Sequence, residues 1–152
     1  MSSDAASLSV RPATGADLSA VAALLKAEGL PADDIAAADV RLWLVEDAKG
    51  RALACGGLEL HGETALVRSL VTVPAARGKG LGARLLTRIE TESAAAGAAT
   101  AWLLTTGNGA LFRRHGYTAA DRQTAPAAIQ TTRQFSGLCP STAGLYAKSL
   151  QP

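Results

Sequence analysis

A mixed α/β fold, one sheet of six or seven strands flanked by four or five helices, is what this sequence predicts. Two observations lead there. Leu66-Val67-Arg68-Ser69-Leu70-Val71-Thr72-Val73 is an apolar, β-branched run closed by Pro74, after which Leu81, Leu85 and Ile89, with Leu86 beside them, recur at helical spacing until Gly97. Thr100-Ala101-Trp102-Leu103-Leu104-Thr105 is a second apolar strand, so strand, helix and strand form a unit that needs a parallel pair and a right-handed crossover. The 152 residues are near the size of one ordinary domain, and no repeat or linker divides them, so residues 1–152 read as a single domain.

In order along the chain, Leu8-Ser9-Val10-Arg11-Pro12 alternates like a short first strand. Thr14-Gly15-Ala16-Asp17 is a variant capping box, with Asp in place of the usual Glu or Gln. Leu18, Val21, Leu24 and Leu25 then share one helical face, which Gly29 ends. Leu30-Pro31 opens a loop, and Asp33-Asp34-Ile35 starts a second short helix with its acids near the N-terminus. The stretches Arg41–Glu46 and Ala52–Leu60 are strands, joined through the hairpin-length turn Asp47-Ala48-Lys49-Gly50-Arg51. His61-Gly62-Glu63 turns into the central strand. Beyond Thr105, Ala110–His115 makes a short helix stopped by Gly116, and Tyr117 begins the next extended piece. Pro126 starts a further helix at its favoured first-turn position, running through Ile129 towards Arg133. Gly144–Leu150 alternates as a final strand, and Trp43 and Trp102 read as sheet core.

Between Pro74 and Leu85 the glycines leave backbone amides uncovered at a helix N-terminus, where four donors lack partners and the dipole is positive. That is an anion site, and a pyrophosphate suits it better than a single carboxylate; Arg77, Lys79 and Arg84 add positive charge. A P-loop needs four residues between its first Gly and a Gly-Lys-Ser/Thr ending, which the chain lacks. Gly78-Lys79-Gly80-Leu81-Gly82-Ala83 matches the dinucleotide fingerprint, but about twenty residues on, where a ribose hydroxyl wants an acid, stands Ala101-Trp102-Leu103-Leu104. A third pattern, Arg-x-x-Gly-x-Gly after Val-Pro, is filled by Arg77, Gly80 and Gly82. The plain alternative is a strand-to-helix turn whose glycines only permit close packing; the agreement of several local signals favours a ligand.

Composition bounds the function. Apolar residues make up 48% of the chain, yet no uninterrupted apolar run approaches the ~20 residues of a membrane span. Met1-Ser2-Ser3-Asp4 has neither the basic region nor the apolar segment of a secretory signal. A net charge of +2, with no basic stripe interleaved with aromatics, argues against nucleic acid. Cys55 and Cys139 form no framework and suggest a reducing compartment, the cytosol. No metal site is expected: a thiolate site needs clustered cysteines, and Cys139 reads as a small buried residue before Pro140.

The element order, with Arg77-Gly78-Lys79-Gly80-Leu81-Gly82 at its middle and Phe112-Arg113-Arg114-His115-Gly116-Tyr117 after it, resembles the GNAT N-acetyltransferase superfamily over essentially the whole chain. The resemblance implies that fold, with its parallel central strands splayed, and acetyl-CoA as cofactor. It assigns the pyrophosphate to the amides of Gly78, Lys79, Gly80, Leu81, Gly82 and Ala83, and the pantetheine to Leu70, Val71 and Thr72, where the ligand satisfies unpaired backbone groups. Arg77 and Phe112 complete the cofactor-binding set. A homodimer is the family habit, with the C-terminal strand as the place to look.

A narrower resemblance, carried by Leu66-Val67-Arg68-Ser69-Leu70 and Thr131-Thr132-Arg133-Gln134-Phe135-Ser136-Gly137-Leu138-Cys139-Pro140, is to the ArsN-type acetyltransferases of arsenic-resistance operons. It implies N-acetylation of a small acidic amino acid analogue such as arsinothricin or phosphinothricin. Direct transfer gains mainly from proximity and from a donor to the developing oxyanion, which family analogy places at the Val71 amide. Many members carry a Glu on the central strand; here Val67, Arg68 and Ser69 stand there. Glu59 on the preceding strand is the best available carboxylate base, acting through water, unless it is a plain solvated face residue. His61 has a suitable intrinsic pKa but lies closer to a turn, and an amine bound neutral needs no base.

The family's proton-donating Tyr is Phe112 here, which cannot donate, leaving Ser69, Thr105, Tyr117, Tyr146 or water, or a thiolate protonated after release. Arg68 shares strand parity with Leu66 and Leu70 and so comes from a largely apolar segment. Its guanidinium needs a partner, either a structural acid such as Glu59 or Asp39 or an anionic substrate, and its fork suits a carboxylate, arsinate or phosphinate. The substrate-binding set is Arg68, Ser69, Glu59, Leu30 and Arg133, the last at a helix end that also attracts cations for stability alone. Two further readings stay open: the same cofactor with an aminoglycoside, polyamine or peptide N-terminus, and an acyl-CoA-binding module without turnover.

Overall fold

The computed structural model describes residues 8–107, 109–139 and 142–150, so the readings made on Met1–Asp4 and on Pro140 lie outside the described residues. The strands are β1 (Val10–Pro12), β2 (Val40–Glu46), β3 (Ala52–His61), β4 (Thr64–Thr72), β5 (Thr100–Thr105), β6 (Thr118–Ala120) and β7 (Gly144–Ser149). The α-helices are α1 (Leu18–Ala27), α2 (Leu81–Ala95), α3 (Ala110–Arg114) and α4 (Ala127–Gln130), followed by one π turn at Gln134–Leu138. One seven-stranded sheet runs in the order β1-β2-β3-β4-β5-β7-β6. Its β4–β5 pair is parallel, with Thr64–Leu66 opposite Thr100–Trp102, as the strand–helix–strand spacing requires. The β1–β2, β5–β7 and β6–β7 pairs are antiparallel. No helix among the described residues is long and apolar enough to cross a membrane.

The chain divides into two compact units. One ends at Gly57 and resumes over Ser69–Ile89; the other comprises Leu58–Arg68 and the chain from Glu90 onward. In the first unit Val21 and Leu25 of α1, Leu42 and Leu44 of β2, Ile35, Cys55 and Val71 form one core, with Leu18 and Leu24 packed against it. The α1 stripe is therefore the face that is buried. Ahead of α1 the Asp17 carboxylate accepts the Thr14 amide at 2.6 Å, so the shorter acid does serve the box. Gly56 admits no side chain: a Cβ there would lie 2.9 Å from both Ile89 Cδ1 and Leu70 Cδ1, and its absence lets α2 approach the strand. In the second unit Leu66, Ala125, Ile129 and Leu145 make a smaller core.

Several expectations are corrected. The stretch from Asp33 to Asp39 is a series of turns, its bonds Ala37 N to Asp34 O and Val40 N to Ala37 O spanning only three residues. Too few residues separate the buried Ile35 from β2 to nucleate a helix. Helix α4 stops at Gln130, short of Arg133, because Thr131 and Thr132 bond back to the carbonyls of Ala127 and Ile129 at 3.1 and 2.7 Å. The Thr132 hydroxyl then accepts the Phe135 amide and starts the π turn. The C-terminal strand β7 is not an edge, since β5 and β6 flank it. Ser69 has φ 58°, a left-handed residue inside β4, so the parity that links Leu66 and Arg68 does not carry through to Leu70. Trp43 is core, while Trp102 is only half-buried.

Candidate active site

In the first unit the chain leaves β4, makes a short turn at Pro74–Ala76 and enters α2 through two glycines in the left-handed region, Gly78 (φ 81°) and Gly80 (φ 76°). A Cβ at either would meet nothing within 4 Å, so it is the backbone conformation, not crowding, that demands glycine. The first helical bond runs from Arg84 N to the Gly80 carbonyl at 3.1 Å. The amides of Gly78, Lys79, Gly80, Leu81, Gly82 and Ala83 therefore have no acceptor among the described residues. Such a run of donors at a positive helix end fits the diphosphate of a coenzyme. The three predicted cations differ. Arg77 donates to the Thr72 carbonyl at 3.2 Å and pairs with Glu28, tying the loop to the end of β4 and to the residue after α1. Arg84 is turned to the Leu8 carbonyl, and Lys79 is exposed with no ion pair among the described residues.

In the second unit the sequence's best acid proves to be buried, not a solvated face residue. Glu59 is 1% exposed and meets three cationic or titratable side chains. Its Oε2 lies 2.6 Å from Arg68 Nη1 and 3.8 Å from Arg133 Nη2, and its Oε1 lies 2.9 Å from His61 Nε2. Arg68 is as deeply buried as its partner, while Arg133 is largely solvent-facing and His61 half-buried. Of the two acids the sequence offered for Arg68, Glu59 lies in contact with it. His61 at Glu59 is the contact that sequence reasoning undervalued. The signal was present: residues two apart on a strand share a face.

The other predicted residues are placed as follows. Leu30 packs against the first unit's core, and Ser69 is buried there, its carbonyl accepting the Cys55 thiol at 3.3 Å. Leu70, Val71 and Thr72 are the last residues of β4, with Val71 in the core. Phe112 of α3 meets Tyr117 edge-to-face, centroids 6.0 Å apart. Among the substitutes for the missing Tyr, Tyr117 is a poor proton donor: burial, then the neighbouring Glu90 carboxylate, raises its phenol pKa. The Tyr146 hydroxyl accepts from Arg113 Nη2 at 3.1 Å, and Thr105 Oγ1 accepts from the Gly107 amide at 3.1 Å. Cys139 is half-buried, not buried, and its thiol donates to Gln134 Oε1 at 3.0 Å.

With the uncapped loop and the charged cluster established, comparison with known proteins decides the family. The model of the acetyltransferase (GNAT) domain matches residues 38–119, more than half of the chain and the whole of the strand–loop–helix. The chain belongs to the GNAT acetyltransferase family. The cofactor of this acetyltransferase is accordingly acetyl-CoA, and the left-handed glycines and open amides of its loop fit that group. Solved structures share the fold. N-acetylglutamate synthase from Neisseria gonorrhoeae, complexed with coenzyme A and N-acetyl-glutamate, superposes with TM-score 0.79 at 20% identity over 95% of this chain. The chain spans only 35% of that synthase. A GNAT acetyltransferase from Staphylococcus aureus matches with TM-score 0.79 at 11% identity, over 95% of this chain and 99% of its own. A Mycobacterium tuberculosis protein in complex with CoA matches with TM-score 0.78 at 19% identity, over 94% of this chain and 99% of its own. At such identities the likeness is one of fold. No curated protein matches the sequence.

Proposed function

We propose that this GNAT domain transfers acetyl directly from acetyl-CoA to the amine of a small acidic amino acid or analogue, the class that includes arsinothricin and phosphinothricin. The observation that carries the reading is the unbroken run of unaccepted amides from Gly78 to Ala83 at the start of α2. Bound there, acetyl-CoA supplies the activated acetyl thioester. Lys79 is the mobile cation for its phosphates, with Arg77 holding the loop's shape. Leu70, Val71 and Thr72 are the proposed backbone partners of its pantetheine, with the Val71 amide as donor to the oxyanion and Phe112 as an apolar neighbour.

The acceptor class follows from charge. The planar, forked guanidiniums of Arg68 and Arg133, both near Glu59, match the carboxylate, arsinate or phosphinate of an acidic acceptor. The gonococcal synthase, complexed with an acetylated acidic amino acid, supports this class. Arg68, Arg133, Ser69 and Leu30 are the proposed acceptor-side residues, with Glu59 acting on the acceptor through an intermediary and not by direct contact. Residues 1–152 acting as one domain, a homodimer and a cytoplasmic location belong to the same proposal; a contact through sheet edges would use β1 or β6.

The test is thiol release with glutamate, phosphinothricin, arsinothricin, a polyamine and an aminoglycoside side by side. Turnover confined to the acidic amines, and lost in Arg133→Ala, is the expected outcome. Turnover of the cationic amines alone would replace the acceptor class, and tight acetyl-CoA binding without transfer to any amine would make the chain a binding module.

A further inference from the structure

We infer that His61 is the general base of the transfer, with Glu59 as the residue that positions it; the inference rests on the proposed acetyltransferase reading. Glu59 is 1% exposed, with Oε2 2.6 Å from Arg68 and Oε1 2.9 Å from His61, so its burial keeps an acceptor amine from reaching its carboxylate directly. A salt-bridged carboxylate only accepts hydrogen bonds. The short contact therefore puts the proton of neutral His61 on Nε2, facing Glu59, and leaves the lone pair on Nδ1.

No partner of Nδ1 exists among the described residues, and the ring keeps 25% of its side-chain surface exposed. Arg68, buried at 0% exposure, holds the carboxylate from the far side, and Arg133 Nη2 at 3.8 Å is the other cation near it. The result is an ordered series: a guanidinium fixes a carboxylate, the carboxylate fixes an imidazole tautomer, and the imidazole presents a basic nitrogen. Once protonated, the imidazolium is stabilised by the same carboxylate.

The proton accounting closes. The acceptor's ammonium gives one proton to Nδ1. The freed nitrogen bonds the acetyl carbon supplied by acetyl-CoA as the carbon–sulfur bond breaks, and its second proton goes to the departing thiolate. The imidazolium returns its proton to water.

Two measurements test the assignment on the full chain. Nitrogen-15 NMR of the free protein, where His61 and His115 are the only histidines, should find His61 protonated at Nε2 and bare at Nδ1. The opposite tautomer would overturn the inference without any activity measurement. His61→Gln should then lower kcat with glutamate or phosphinothricin by about 100-fold or more, the usual worth of a general base, while acetyl-CoA affinity stays within about twofold. With a fluorinated analogue of the same acid, whose amine is already mostly neutral, the loss should shrink to below about tenfold. An equal loss with both amines would make His61 a structural partner of Glu59, and no loss with either would also overturn the base. Absence of thiol release by the unaltered protein with every acceptor would instead remove the acetyltransferase reading, and the base with it.

Discussion

The glycine loop and the Glu59 cluster both gather charge at one place, but they are made of different material. Between Pro74 and Ala83 the binding groups are main-chain amides, exposed because Gly78 and Gly80 take a left-handed backbone that any other residue resists. Around Glu59 the charged groups are side chains, two of them almost fully buried and 2.6 Å apart. A backbone site is set by conformation and tolerates changes in the side chains around it. A buried side-chain site is set by pairing, so that removing one member takes a close partner from a buried charge. The difference predicts opposite responses to substitution.

The largest effect should come from breaking the buried pair. Glu59→Leu removes the acid 2.6 Å from Arg68 and should destabilise the fold by about 3–5 kcal/mol in urea unfolding. Adding Arg68→Met should recover most of that loss; a double variant no more stable than the single one would mean that Arg68 does not depend on Glu59. In the loop, Gly80→Ala meets no steric obstacle and should cost only about 1–2 kcal/mol, the penalty of a left-handed non-glycine residue. Its affinity for acetyl-CoA, read by calorimetry, should nevertheless fall by about tenfold or more, since about 1.4 kcal/mol of misplaced amide contacts suffices for that. A stable variant that binds normally would show that the left-handed turn is dispensable.

Smaller effects sharpen the contrast at two other places. Burial pushes the Cys55 thiol up to about 12, so a disulfide reagent at pH 8 should titrate Cys139 in the folded protein and reach Cys55 only on unfolding. Equal rates for the two thiols would contradict the packing of β3. Last, bonds from Arg11 and from the Thr14 amide hold the Asp17 carboxyl below the ordinary carboxylate range. A depressed acid stabilises the fold above its unfolded pKa and loses that contribution as pH falls through the folded value. The stability gap between the protein and Asp17→Asn should thus be constant near neutrality and close on acidification below about pH 4. A gap that widened in acid would reverse the sign.

What could be read from the sequence follows the same division. The strand at Leu66, the loop and the α2 stripe were legible because each is dictated locally: Pro74 ends a ladder, glycine permits positive φ, and Leu81, Leu85 and Ile89 repeat with the helix. The length of α4 was not, because Thr131 and Thr132 turn their hydroxyls back onto the helix that their neighbours would continue. Asp33–Ile35 carried a helix-start pattern with too little chain behind it to propagate. The partner of Arg68 could be narrowed to two acids or an anionic substrate and no further, since strand parity gives a face and not a cross-strand neighbour, and the left-handed Ser69 interrupts even that parity. Burial of Glu59 followed from the same unseen pairing.

The loop amides carry the cofactor assignment, and backbone amide NMR with added coenzyme A is the measurement that reaches them. Large shifts at Gly78, Lys79, Gly80, Leu81, Gly82 and Ala83, saturating with one equivalent of ligand, are the predicted result. Shifts that leave those six amides in place while others move would contradict it.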